Sequence, residues 1–140
     1  MFYKPILLPL LAQVLLTVLV WVYMYATRFR EMAAKNIEPD HLADRAAAQS
    51  LLRSSAGPAD NFKNLFELPV LFYVAIVLSL VLLIQDALLV QLAWGFVLFR
   101  AAHSAIHCTY NRVVHRFLAY VGSALVLFLM WVRLAMFIFS

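Results

Sequence analysis

One cysteine, Cys108, is all that the 140 residues contain. That excludes an intramolecular disulfide framework and any multi-cysteine metal site. Charge is almost as scarce: 13% of residues are charged against 66% hydrophobic. So few polar groups cannot cover a soluble globule of this size, and the chain reads as an integral membrane protein. No small-residue cleavage site of the A-x-A type follows the N-terminal apolar stretch. Its uncharged run from Pro5 to Thr27 also outlasts the roughly 7–15 residues of a signal h-region. The segment therefore reads as a retained spanning helix. Internal repeats and low-complexity tails are absent as well. The formal charge of +4 would suggest an anionic partner in a soluble protein; here it is read first as topology, and no nucleic-acid partner is expected.

A bilayer core about 30 Å thick takes roughly 20 helical residues to cross. That ruler lays four spans along a single transmembrane domain covering residues 1–140, at about 5–27, 61–84, 87–110 and 117–139. The expected fold is an all-α, four-helix membrane bundle. Gln85 and Asp86 alone separate the second and third spans, which demands a tight antiparallel hairpin. Between the first two spans, "EPDHLADRAAAQSLLRSS" reads as a short helix started by Pro39 and stopped at "AGP". Orientation follows from the basic residues. Arg28, Arg30, Lys35, Arg45 and Arg53 mark the loop 28–60, Arg112 and Arg116 mark the segment 111–116, and the 85–86 turn has none. Both basic loops are therefore expected in the cytoplasm and the termini on the opposite side.

Polar residues inside the spans converge on one end. Asn64 and Glu67, three residues apart, are expected on one face of the second span as it enters the membrane. In "FRAAHSAIHCTYNR" the residues Arg100, His103, His107 and Tyr110 recur at helical spacing and form a polar stripe on the third span. Arg100 then lies near mid-membrane. A charge there costs at least about 2.5–3.5 kcal/mol and needs a partner or a cavity. Glu67 is the acidic residue at the right end, so an ion pair fixing the packing, a ligand-binding role, or both are expected. His103 and His107 lack a third ligand of matching spacing and sit on one helix, so neither a metal nor a b-type haem is expected. His41 and His115 are expected in solvated loops, and Cys108 is expected to be a small packing residue facing away from the stripe.

The motifs "NFKNLFELP" and "FRAAHSAIHCTYNRVVHR", in a four-span chain with this loop asymmetry, resemble the MAPEG family, the membrane-associated proteins of eicosanoid and glutathione metabolism. The resemblance implies a homotrimer that binds glutathione as co-substrate between neighbouring subunits. It implies transferase or peroxidase activity on a lipophilic small-molecule substrate arriving through the membrane lipid. By that resemblance the glutathione ligands are Asn64, Glu67, Arg100, His103 and His107, with Arg28 or Arg30 supplied from helix 1, and Arg116 is the catalytic cation beside the thiol. Family members that bind glutathione usually carry arginines just before the asparagine; this chain has "SSAGPADNFK" there, with Lys63 close by. A non-catalytic membrane scaffold or lipid-binding protein keeping the same fold is the rival reading.

Overall fold

The computed structural model describes residues 4–140, and all its regular elements there are helical. After a 3-10 turn at Lys4–Ile6, α1 runs Leu7–Lys35. A second 3-10 turn at Pro39–Leu42 leads to α2 (Arg45–Leu51) and α3 (Ala56–Asn64). Then follow α4 (Leu68–Val81), α5 (Ala87–Cys108) and α6 (Val113–Ile138). Taken with α3 and α4 as one crossing, four stretches are long and apolar enough to span a membrane. They run alternately between a turn end, holding residues 82–86, and a loop end, holding residues 36–55 and 109–112.

Three local features depart from the sequence expectation. First, α1 does not stop at residue 27. Its 29 residues are about 43 Å long, so a membrane about 30 Å thick leaves the last two turns projecting beyond the hydrocarbon. The helix closes on Asn36, whose φ of 52° places it in the left-handed region where asparagine is tolerated. Second, "AGP" starts a helix instead of stopping one. Pro58 lies in the first turn of α3, where a missing N–H removes no intrahelical bond. Third, the second span is broken at residues 65–67. Pro69, at the start of α4, cannot donate to the Leu65 carbonyl, and its ring would collide with that carbonyl in a continuous helix.

The core fills the turn-end half of the bundle. Phe72 and Phe96 stack with ring centroids 4.6 Å apart, and Ile6, Ile76, Leu89, Leu127, Met130 and Leu134 close around them. α5 and α6 pack most closely. At Gly122 on α6, a Cβ would come within 2.6 Å of the Phe99 ring. Elsewhere the spans present apolar side chains outward, with Leu11 62% and Phe128 56% exposed, as a lipid-facing surface requires. Ile84 is buried in the turn between α4 and α5, and Asp86 caps α5 by accepting from the Leu88 amide at 3.4 Å.

At the loop end the connection between α1 and α3 is fastened by a residue that span counting passes over. Glu31 is 6% exposed. Its carboxylate accepts from the Ser54 amide at 3.1 Å, the Ser54 hydroxyl at 3.2 Å, the Ser55 amide at 3.2 Å and the Lys35 ammonium at 2.6 Å. Lys35 also donates to the Leu51 carbonyl at 2.8 Å. One carboxylate on the projecting end of α1 thus ties down the far end of a connection whose own helices bury little.

Candidate functional site

The break in the second span builds the site. In a continuous helix the Asn64 carbonyl would accept from residue 68; here it faces only a long bond from the Glu67 amide at 3.4 Å. The Arg100 Nη2 donates to it at 2.9 Å. Arg100 is completely buried, yet among the described residues its Nε and Nη1 have no partner. Each orphaned donor of this kind costs about 1–3 kcal/mol, and the charge adds to the cost.

Arg100 and Glu67 form no ion pair among the described residues, which corrects the pairing expected from sequence. The break is the reason. Asn64 is the last residue of α3 and Glu67 precedes α4, so they do not share a continuous helical face. Arg100 meets a backbone carbonyl, and Glu67 stays exposed. A Glu67→Gln and Arg100→Gln double-mutant cycle, read by thermal unfolding in detergent, is expected to give a coupling below about 1 kcal/mol. A directly paired and buried couple would give about 3–5 kcal/mol on breaking, and a coupling of that size would restore the ion pair.

Next to Arg100 on α5 lie two buried histidines whose rings stack with centroids 5.5 Å apart. His103 Nδ1 is 3.1 Å from the Arg116 carbonyl, and His107 Nδ1 is 2.8 Å from the Gly57 carbonyl. A carbonyl can only accept, so both Nδ1 atoms carry the proton and each Nε2 of a neutral ring is an acceptor. His103 Nε2 is buried without a partner. The Gly57 contact needs glycine: a Cβ there would stand 3.0 Å from the His107 carbonyl. His107 therefore docks α3 onto α5, while His103 retains an open acceptor.

A cleft of about 240 Å³ is lined by Asn64, Glu67, His103, Val113, Arg116, Phe117 and Tyr120. The Arg116 guanidinium is steadied by its bond to Asn111 Oδ1 at 2.8 Å. A separate cavity of about 320 Å³ holds Arg28, Arg45, Gln49, Asp60 and Lys63. Arg28 leaves its buried Nε without a partner there. Lys63 is 3.2 Å from Asp60. Lys63 and Asn64, consecutive on α3, look into different cavities. The sequence-derived site residues thus fall into two groups on one chain. Asn64, Glu67, His103 and Arg116 share the first cleft, with Arg100 buried behind Asn64. Arg28 belongs to the second cavity, His107 is spent on Gly57, and Arg30 is exposed and lines neither.

Several polar residues at this end are not evident from spacing alone. Asn61, fully buried, accepts from the Ser104 hydroxyl at 3.2 Å and donates to Cys108 Sγ at 3.5 Å. The asparagine that cross-links α3 to α5 by its side chain is therefore Asn61, whereas Asn64 contributes its carbonyl. Cys108 is half-buried in that contact, a packing role in keeping with its expected place. Tyr120 joins from α6, its ring 6.0 Å from His103. Tyr110 falls outside the stripe: it lies beyond the end of α5, exposed, sharing a hydrogen bond with His115 at 3.1 Å.

Four apolar crossings define a multi-pass integral membrane protein, and at its loop end a buried cation and an open histidine acceptor lie close to a polar cleft. The family model of the MAPEG proteins matches residues 6–136, and the chain belongs to the MAPEG family. No curated protein and no solved structure matches it.

Proposed function

We propose that the chain is a glutathione-dependent transferase or peroxidase acting on a lipophilic electrophile, with its site completed between copies in a homotrimer. The observation that carries the reading is the pairing of unlike, unsatisfied groups beside one cleft. His103, which lines the cleft, has an open acceptor that a bound polar ligand meets directly, and Arg100, buried behind Asn64 with two open donors, reaches that ligand once the cleft widens past the Asn64 carbonyl. Glutathione brings two carboxylates, an ammonium and a thiol. Glu67, in no ion pair among the described residues, suits the ammonium. Arg116 suits the sulfur: a guanidinium close to a thiol raises the thiolate population, and the thiolate is the nucleophile. The thiol gives up its proton to water at the loop end, the thiolate forms the new bond to the electrophilic atom, and the electrons of the broken bond leave with the departing group, which takes up a proton from water in turn. His103 Nε2 accepts a hydrogen bond from an N–H of the bound tripeptide.

The carboxylates call for more cation than the first cleft holds. Arg28 and Lys63 line another cavity of the same chain, and that separation fits a site assembled from two copies, with Arg28 of one facing the Asn64–Glu67–Arg116 cleft of the next. A large outward apolar face fits the same assembly: only 22% of the apolar window of α1 is buried within one chain. Titration calorimetry of glutathione against detergent-purified protein is expected to give a saturable heat. The absence of heat at millimolar ligand favours the rival reading, a non-catalytic scaffold or lipid-binding protein, for which the Lys63–Asp60 pair speaks. Lys63 is a point charge already engaged by Asp60 and cannot offer the bidentate fork of an arginine.

The basic loops support a cytoplasmic loop end. Ser54, bound to Glu31, is a poor reporter of sidedness, whereas Asp40 is exposed. A cysteine in place of Asp40, in a Cys108→Ala background, is expected to resist a membrane-impermeant maleimide in intact cells and to react after permeabilisation. Labelling of intact cells would reverse the orientation.

A further inference from the structure

At the opposite end from both cavities, α5 and α6 leave a groove of about 280 Å³ on their outer surface. Leu88 and Leu92 of α5 line it together with Leu129, Val132 and Met136 of α6, and Arg133 lies among them, between Leu129 and Met136 along α6. Val132 and Met136 are each 58% exposed and Leu129 55%, so the groove opens outward from the bundle. On α6 these residues follow helical spacing and define a channel about 10 Å long, parallel to the helix axis. Apolar walls at this depth meet hydrocarbon, since water is absent there.

Arg133 distinguishes this groove from an ordinary furrow between helices. Its Nε donates to Asp86 Oδ2 at 2.8 Å and its Nη2 to Asp86 Oδ1 at 3.3 Å. The guanidinium also lies 4.9 Å from the centroid of the Phe137 ring. Asp86 is itself fixed as the cap of α5, and its bond to Arg133 holds the carboxyl below its ordinary range. The carboxylate and the aromatic face therefore lock the guanidinium in one orientation, and Nη1 and the outer edge of Nη2 have no acceptor among the described residues. A pre-oriented fork loses little further freedom when it binds an oxyanion. Arg133 sits roughly 7 Å before the end of α6, close to where the hydrocarbon gives way to the headgroup layer.

We propose that this groove is a phospholipid site, in which the phosphodiester accepts hydrogen bonds from the free edge of Arg133 and one acyl chain lies between α5 and α6. Because Asp86 balances the arginine charge, recognition rests on the placed donors acting on phosphate oxygens. The groove shares no residue with either loop-end cavity, so the site stands or falls independently of glutathione.

Native mass spectrometry of the purified protein, offered equal amounts of dioleoyl phosphatidylglycerol and dioleoylglycerol, tests it. The two lipids share acyl chains and differ in the phosphate headgroup. The expected result is about tenfold greater retention of the phospholipid. The double replacement Asp86→Asn with Arg133→Gln, which leaves no orphaned charge, should lower that retention to the dioleoylglycerol level. Leu92→Trp, which fills the groove and leaves the ion pair intact, should lower it as well. If the double variant fails to fold by circular dichroism, Leu92→Trp decides. Equal retention of the two lipids by the wild type, or undiminished phospholipid retention in a folded variant, overturns the site.

Discussion

Arg100→Met is expected to abolish glutathione binding while leaving the unliganded protein at least as stable as the wild type. The opposite signs follow from one geometry. Arg100 is fully buried with a single bond, to the Asn64 carbonyl, and two orphaned nitrogens. Replacing the charge by a flexible apolar chain removes a burial cost of at least about 2.5 kcal/mol. It forfeits one hydrogen bond worth about 1.5–3 kcal/mol when a charge is involved. Stability should therefore stay level or rise. Binding, by contrast, loses two charge-assisted donors at about 1.5–3 kcal/mol each, which is about a hundredfold or more in Kd. Thermal unfolding and calorimetry on the same preparation read both quantities. A variant that is destabilised yet still binds would make Arg100 a packing residue and remove the foundation of the site.

Glu31→Ala should produce the largest loss of order. Two backbone amides, the Ser54 hydroxyl and Lys35 all converge on this carboxylate, and the substitution leaves them unsatisfied beside a buried position. A loss of about 3 kcal/mol is expected, concentrated in residues 36–54. Limited proteolysis there should accelerate by at least about tenfold, with hydrogen exchange rising in the same stretch. The cavity around Arg28 is closed on one side by Arg45, Gln49 and Leu52, so the same variant should weaken glutathione binding. Lys35→Met should do far less: that side chain is 46% exposed, and exposed pairs contribute about 0–1 kcal/mol. Equal effects of the two substitutions would mean that the ammonium, and not the backbone amides, holds the connection.

The helical architecture was legible in the sequence because apolar runs of membrane length admit few other structures, and so was the stripe of Arg100, His103 and His107. The break at residues 65–67 was also encoded, by Pro69, but a count of about 20 apolar residues runs straight across it. That one oversight misplaced Glu67 relative to Arg100. Glu31 is hidden for a related reason: the uncharged run stops at residue 27, although Glu31 and Lys35 stand at the i, i+4 spacing of a continuing helix. Asn61 and Asn64 cannot be told apart by spacing, since either can face α5. Their roles depend on where α3 ends. The separation of Arg28 from the Asn64 cleft is a property of packing that no local pattern carries.

The shared site can be tested by mixing two inactive copies. Arg28→Ala and Glu67→Gln, each expressed alone, should fail to bind glutathione, because every site then lacks a group from one or the other copy. Co-expressed in equal amounts in one trimer, they should regain about one quarter of the wild-type binding stoichiometry, since a random neighbour pair supplies both intact halves with that frequency. Recovery near that fraction, read by calorimetry on the co-purified assembly, is the predicted result. Mixed assemblies with no recovered sites, or an Arg28→Ala protein that binds as the wild type does, would contradict a site built between copies.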